Sequence, residues 1–254
     1  MVGTDVAKAD WAHDAGMDIR ITEIADGVHQ LFTYIEEMDF GLNQFLLTGG
    51  EPVLIHTGMR GMFPFVSAAV ARVVSPDAVR WISFSHLEAD ECGSMNEWLA
   101  AAPRSTVVHG TTGCMISLSD LADRMPRPLA DGEVLDTFHH RLRWIDTPHV
   151  PHAWEAGLLF DETTRTLFCS DLFCQMGEYA PTTTDDIVGP AIAAEESFPG
   201  SLSLHPSTGS VIRRLADLHV ATLAPMHAPA FTGDCTSALI DIADDMDKRI
   251  VAGR

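Results

Sequence analysis

A short apolar strand that runs directly into a loop of metal-binding side chains is the most constraining feature of this sequence. Residues 81–84 read Trp-Ile-Ser-Phe, and residues 85–93 read Ser-His-Leu-Glu-Ala-Asp-Glu-Cys-Gly before a predicted helix. A tight loop between a strand and a helix can direct alternate side chains at a common point. His86, Glu88 and Asp90 are therefore candidate metal ligands. For this segment alone, a solvated charged loop is the alternative.

Three later residues of metal-binding type also follow apolar runs. His152 comes after the predicted strand 141–146, Asp171 ends a short strand nineteen residues further on, and His227 follows the apolar run 221–224. A lone histidine in any of these places would more often be structural. The ordered series HxExD, His, Asp and His, with each member at a strand end, predicts a metal site built from several loops.

Short apolar runs bounded by turn residues recur along the chain and alternate with helical segments. The predicted strands are 19–24, 28–34, 44–48, 52–56, 81–84, 106–109, 141–146, 156–160 and 166–169, with hairpin turns at 49–50 and 161–164. The predicted helices are 63–74, 93–102, 207–218 and 237–251, and residues 181–200 are predicted as a long loop. Hairpins combined with strand–helix units predict two packed sheets with helices outside.

The composition argues against several classes of function. Acidic residues outnumber basic ones by 36 to 16, for a formal charge of −20. A nucleic-acid partner is not expected, because phosphate binding depends on clustered Lys and Arg. The chain lacks an apolar run of about eighteen residues and a basic, apolar leader, so we expect no membrane span, no signal peptide and a cytoplasmic location. The five cysteines fit reduced thiols.

The ligand series resembles that of the metallo-β-lactamase superfamily, and within it the lactamase-like domain of flavodiiron proteins. Residues 21–28, 42–47 and 52–58 resemble the first strands of that fold, and residues 171–175, Asp-Leu-Phe-Cys-Gln, resemble the segment with its bridging aspartate. The glutamate of HxExD replaces the second histidine of the HxHxDH motif of zinc hydrolases, which is typical of the flavodiiron branch. The resemblance extends from about residue 19 to residue 254.

The fold that this resemblance implies is an α/β (α+β) sandwich of the αββα type, with two mixed sheets and helices on the outer faces. We expect a single metallo-β-lactamase-like domain over residues 1–254, with residues 1–18 as an N-terminal extension and no flavodoxin domain. The family's ligands, carried over to this sequence, are His86, Glu88 and His152 on one metal, Asp90 and His227 on the second, and Asp171 between them. A carboxylate-rich set of this kind favours iron. Two iron ions are thus implied, with zinc or manganese as substitutes and no FMN bound by this chain.

Four residues depart from the family pattern or extend it. Glu91 stands where the second metal would have a histidine. We predict that its carboxylate binds that metal, and the alternative is that it turns away. His56, in place of a common aspartate, and His149 are predicted to lie beside the ligands, although His149 could also replace His152 as a ligand. Tyr179 is a candidate donor of a proton or hydrogen bond near the metals.

The resemblance leaves several functions open. The first is a nonheme diiron protein that binds and reduces dioxygen or nitric oxide with electrons from a separate donor protein. A noncatalytic oxygen sensor, read out by a signalling partner, would use the same residues. The same fold could also carry a hydrolase with two zinc ions, or a diiron enzyme that oxygenates an organic substrate. A homodimer is compatible with each of these functions.

Overall fold

The described part of the chain, residues 18–199 and 201–253 of this computed structural model, contains two mixed β-sheets. The predicted extension over residues 1–18 lies outside it, apart from Asp18. The first sheet contains, in spatial order, β1 (Arg20–Ala25), β2 (Val28–Ile35), β3 (Phe40–Leu47), β4 (Val53–Ile55), β5 (Trp81–Ser83), β6 (Thr106–Gly110) and β7 (Arg127–Leu129). β1 to β4 pair antiparallel, and β4 to β7 pair parallel.

The second sheet is built from the later strands and has the order β12-β14-β13-β11-β10-β9-β8. These strands are β8 (Val134–Asp136), β9 (Arg141–Asp146), β10 (Gly157–Asp161), β11 (Thr166–Ser170), β12 (Thr182–Thr183), β13 (Thr222–Pro225) and β14 (Ala230–Phe231). β8 to β11 pair antiparallel, whereas β13 pairs parallel with β11. The turns predicted at 49–50 and 161–164 join the antiparallel pairs β3–β4 and β10–β11.

The helices lie between and after the strands. They are α1 (Phe63–Val70), α2 (Ala89–Cys92), α3 (Met95–Ala101), α4 (residues 111–121, π-helical over Cys114–Leu118), α5 (Val188–Ser197), α6 (Thr208–Ala216) and α7 (Cys235–Ala252). Short 3-10 turns occupy Glu36–Met38, Arg60–Met62 and Pro76–Ala78. In the part of the chain that the structure describes, no helix is both long and apolar enough to cross a bilayer.

Helix α5 shows that the prediction of a continuous loop over 181–200 was wrong. A composition rich in Thr, Asp, Glu and Pro favoured a loop, but Pro190 lies in the first turn of the helix. Proline is tolerated there because its missing N–H would have no partner within the helix. The carboxylate of Asp186 accepts hydrogen bonds from the backbone N–H groups of Val188 (2.8 Å) and Gly189 (3.2 Å), so the helix begins on a polar cap.

Apolar clusters fill the spaces between four layers. Phe45 and Phe168, whose ring centroids are 5.2 Å apart, belong to the cluster between the two sheets. The next residue along β3, Leu46, points to the opposite face and belongs to a second cluster with Trp98 of α3. Leu239 of α7 belongs to the third cluster, on the outer face of the second sheet. The layers are therefore helices, sheet, sheet and helices, as the sequence predicted.

The loops that carry the predicted metal ligands converge at one edge of the two sheets. β4 and β5 run parallel in the first sheet, as do β11 and β13 in the second, so the C-terminal ends of each pair lie side by side. Backbone hydrogen bonds also join the two halves of the fold: Gly157 donates to Ser85 (3.0 Å) and Asn43 donates to Met226 (2.8 Å). Side chains from four different loops can therefore meet there.

Candidate metal centre

The loop after β5 supplies three of the candidate ligands. His86 is buried, and Glu88, in an extended conformation (φ −133°, ψ 160°), immediately precedes α2. Asp90 lies in the first turn of this helix. The buried carboxylate of Glu155 accepts a hydrogen bond of 3.3 Å from the backbone N–H of Leu87. This bond ties the ligand loop to the segment that carries His152.

Two histidines and two carboxylates meet in a first group. Nε2 of His86 lies 3.0 Å from Oε2 of Glu88 and 3.5 Å from Oδ2 of Asp171. Nε2 of His152 lies 3.1 Å from each of the same two oxygens. The four ligand atoms all lie within 4.8 Å of one another. Such a set of imidazole nitrogens and carboxylate oxygens can hold one transition-metal ion.

Asp171 also belongs to a second group, through its other oxygen. Nε2 of His227 lies 3.2 Å from Oδ1 of Asp171 and 3.3 Å from Oδ2 of Asp90. Nδ1 of His227 donates to the carbonyl oxygen of Gly41 (2.9 Å), which leaves the lone pair of Nε2 for a metal. The ring of Phe40 stacks on His227 at 4.3 Å and fixes its plane.

The charges of the two groups are balanced by protons when no cation is bound. Hydrogen bonds to Asp171 and Glu88 raise the pKa of His152 to about 10. Burial lowers the pKa of His86, but the charge of Glu91 and the bond to Glu88 raise it to about 9 overall. Bonds from His152 and His86 lower the pKa of Glu88 to about 2. Protonated His86 and His152 thus neutralise negative charge on the neighbouring carboxylates, as a bound metal cation would.

The donor set fits two metal ions. Three imidazole nitrogens and three carboxylates converge, and one carboxylate directs its two oxygens at different histidines. These six residues, His86, Glu88, Asp90, His152, Asp171 and His227, are the ligands that the resemblance implied. The structure brings them together, and their binding of metal stays a prediction.

Glu91 lies behind this set, and its carboxylate is fully buried. Its Oε2 accepts hydrogen bonds from Nδ1 of His56 (2.8 Å) and the backbone N–H of Ser85 (2.6 Å). Its Oε1 accepts a hydrogen bond from the hydroxyl of Ser170 (2.5 Å) and lies 3.5 Å from Nδ1 of His86. Both oxygens therefore face protein donors, and the structure does not place them among the six converging side chains.

The other two candidates occupy different surroundings. The ring of His149 stacks on that of His205, with centroids 4.2 Å apart. The ring of Tyr179 is 8% exposed and packs on Phe32 (4.7 Å) and against Gly41, the residue that accepts from His227. Burial raises the pKa of Tyr179 well above its usual range. A role for its hydroxyl as a proton donor stays a prediction.

Asn43 is a residue that the sequence did not single out for the site. It is fully buried on β3, and its Nδ2 donates to the carbonyl oxygens of Pro225 (2.9 Å) and Ala228 (2.8 Å). These two residues flank His227 in the chain, so Asn43 holds the loop that presents this ligand. The available signal was a polar side chain inside the apolar run Leu42–Leu47, where a buried amide needs hydrogen-bond partners.

Two sheets packed face to face, with helices outside and ligand loops at one edge, define a metallo-β-lactamase-like core of the flavodiiron type. The family model described as "ODP family beta lactamase" matches residues 40–228. The chain belongs to this family.

Known relatives share this core over most of the chain. The diflavin flavoprotein A 1 of Synechocystis sp. is 24% identical over 209 residues, which cover 76% of this chain and 35% of that protein. The chain spans about a third of the length of the curated relatives it matches. Two similar solved structures are rubredoxin oxygen:oxidoreductase of Desulfovibrio gigas (TM-score 0.78, 18% identity, 90% of this chain and 62% of that one) and the flavodiiron protein of Giardia intestinalis (0.75, 15%, 92% and 61%). Both confirm the predicted fold.

Proposed function

We propose that this protein is a nonheme diiron oxidoreductase that reduces dioxygen or nitric oxide. The observation that carries this proposal is the position of Asp171 between two groups of ligands. Its Oδ2 faces His152 at 3.1 Å, and its Oδ1 faces His227 at 3.2 Å. A carboxylate with its two oxygens directed this way can bridge two metal ions, and neighbouring metal ions can act together on one small molecule.

The donor types support iron as the metal. Three carboxylates and three imidazoles form a harder set than the imidazole-rich sites of zinc hydrolases, and carboxylate-containing sets are used by nonheme iron enzymes. Two iron ions would supply the redox chemistry. The protein's own groups would hold them: His86, Glu88 and His152 on one side, Asp90 and His227 on the other, and Asp171 between them.

The site is open to a small molecule on one side. The side chain of Glu88 is 50% exposed and that of His152 is 31% exposed, whereas His86 and His227 are buried. A diatomic gas can therefore approach from the side of Glu88 and His152, while the buried histidines anchor the site. Electrons would come from a donor protein, a proposal that the name of the rubredoxin oxygen:oxidoreductase of Desulfovibrio gigas supports.

The test is to load the metal-free protein with ferrous iron without oxygen and to count the bound ions. We expect two irons per chain and catalytic consumption of dioxygen or nitric oxide when a chemical reductant is supplied. Asp171→Ala should abolish both properties, and Glu97→Gln, a change in α3 outside the ligand groups, should leave both unchanged. Two tightly held zinc ions with ester hydrolysis would refute the proposal. A single gas-binding event per site without turnover would restrict the function to binding.

A further inference from the structure

His86 presents its two ring nitrogens to different surroundings. Nε2 faces the candidate metal site, 3.0 Å from Glu88. Nδ1 faces inward, 3.1 Å from the hydroxyl of Ser85, 3.4 Å from that of Ser170 and 3.5 Å from Oε1 of Glu91. When Nε2 binds a metal, Nδ1 carries the proton and needs an acceptor. A histidine ligand usually donates this proton to a carboxylate, a carbonyl or a water molecule, and that partner sets the orientation and basicity of the ring.

The carboxylate of Glu91 is held behind His86 by three donors. The backbone N–H of Ser85 and Nδ1 of His56 bind one oxygen, and the hydroxyl of Ser170 binds the other. Among the described residues, the other ring nitrogen of His56 has no hydrogen-bond partner. The contact with Glu91 is thus the polar contact that fixes this buried ring. For Glu91 to turn toward the metal site, all three donors would lose their acceptor.

Two of these donors come from residues with unusual backbone conformations. His56 has φ +60° and Ser170 has φ +54°. Residues other than glycine rarely adopt this left-handed region, and they remain there when the surroundings impose it. His56 directly follows β4, and Ser170 is the last residue of β11. Both residues direct a hydrogen-bond donor at the carboxylate of Glu91. The local backbone is therefore arranged around Glu91.

The same pair also accounts for two departures from the superfamily pattern. The resemblance implies a common aspartate at position 56 and a histidine at position 91, whereas this chain has a histidine and a glutamate there. In the structure the two side chains contact each other at 2.8 Å. The acid and the imidazole have exchanged positions, and the exchange leaves the carboxylate on the side of His86.

We propose that Glu91 is a positioning residue that acts through His86, with the support of His56, and that it is not a metal ligand. This inference rests on the proposed metal-binding function. The carboxylate supplies buried negative charge behind the ring and, with the hydroxyls of Ser85 and Ser170, keeps the proton of His86 on Nδ1. It thereby presents the lone pair of Nε2 to the metal and strengthens binding of the cation that His86 shares with Glu88 and His152.

Zinc is a suitable probe, because it is diamagnetic and its binding involves no oxygen chemistry. The wild type, Glu91→Gln, the ligand variant Glu88→Gln and the control Glu97→Gln are titrated with zinc against a chelator. Bound ions are counted, and the Nδ1–H signal of His86 is followed by NMR in the zinc-loaded proteins. We expect Glu91→Gln to keep two ions, to bind one of them about 10–100-fold more weakly, and to exchange the Nδ1–H proton with water faster. Glu97→Gln should match the wild type.

Two results would overturn the proposal. One is complete loss of a single ion in Glu91→Gln with an unchanged His86 signal, as expected for a lost ligand. The other is a set of dissociation constants and an exchange rate equal to those of the wild type. If Glu91→Gln does not fold, Ser170→Ala replaces it, since it removes one donor to Glu91 with little change in volume. A loss of affinity for the same ion that is smaller than the loss expected for Glu91→Gln supports the proposal, and an unchanged affinity refutes it. A wild type that binds two zinc ions but, when loaded with iron and supplied with a reductant, reduces neither gas would contradict the proposed function alone.

Discussion

Replacement of Asn43 by alanine should release the loop that carries His227. The amide of Asn43 is fully buried and donates to two carbonyl oxygens, those of Pro225 at 2.9 Å and Ala228 at 2.8 Å. The backbone N–H of Asn43 donates to Met226 and would remain in the variant. The substitution therefore removes the side-chain contacts on both sides of His227 and leaves β3 intact.

The expected cost follows from the two hydrogen bonds and their burial. A hydrogen bond contributes about 1 kcal/mol net where the remaining carbonyl oxygen finds another donor, and about 1–3 kcal/mol where that oxygen stays buried without one. One of the two carbonyls can be relieved by movement of the loop. We therefore expect Asn43→Ala to lower the free energy of unfolding of the metal-free protein by about 2–4 kcal/mol, in the upper part of the range for a single substitution.

Urea denaturation of the metal-free protein measures this cost, and Asn96→Ala is a matched control. Asn96 also makes two hydrogen bonds to the backbone, with Leu121 and Asp123 (2.9 Å each), but it does so at the surface. It should cost about 1 kcal/mol and leave metal binding unchanged. In Asn43→Ala the affinity for the ion held by Asp90 and His227 should fall more than the affinity for the other ion. A loss of stability no larger than that of the control, with both ions bound normally, would refute the reasoning.

Three further predictions concern the site and a buried pair of side chains at the far end of β10. Asp171→Ala should lose both metal ions together in a chelator titration, since its two oxygens face different histidines; retention of one tightly bound ion would show that it does not bridge. Metal binding at pH 7 should release about three protons, from His86, His152 and His227, because the carboxylates beside them outweigh burial and raise all three pKa values, to about 9 for His86 and about 10 for His152. Calorimetry in buffers of different ionisation enthalpy should show this release decline as the pH rises through those values, and no release at pH 7 would contradict it. His140→Leu should cost about 2–4 kcal/mol in urea denaturation at pH 7, because buried Asp161 loses its imidazole partner at 2.8 Å and keeps only the uncharged donors of Thr163 and Thr164. Burial alone would raise the pKa of Asp161, but the bond with His140 lowers it overall, so the stabilisation is present above the usual carboxylate pKa and is lost in acid. The difference between the wild type and His140→Leu should therefore shrink below about pH 4, and a constant difference would be evidence against the pair.

The regular elements could be predicted because their hydrophobic periods are long enough to detect. The nine predicted strands coincide with β1 to β6 and β9 to β11, and the four predicted helices coincide with α1, α3, α6 and α7, with shifts of a few residues at the ends. β12 and β14 contain two residues each, which is too short for any alternation to show. Their strand conformation depends on neighbouring segments that the local sequence does not reveal.

The grouping of the six candidate ligands could also be predicted, because each follows a strand and strand ends meet at one edge. Their supports could not be predicted in the same way. Asn43 lies 182 residues before Pro225 in the chain, so no local pattern connects them. The direction of the Glu91 side chain could not be predicted either. The alternation of side chains along a loop does not show which hydrogen-bond donors surround a given carboxylate.

The pairing of Glu91 with His56 shows why single departures from a motif are poor guides to a site. A fully buried carboxylate at position 91 is tolerated because His56, Ser85 and Ser170 all donate to it, and without such donors it would cost several kcal/mol. A carboxylate at position 56 as well would place two like charges in the same buried space. The residue types at 56 and 91 are therefore physically coupled. We therefore propose that the glutamate at position 91 acts together with His56 and not as a substitute ligand.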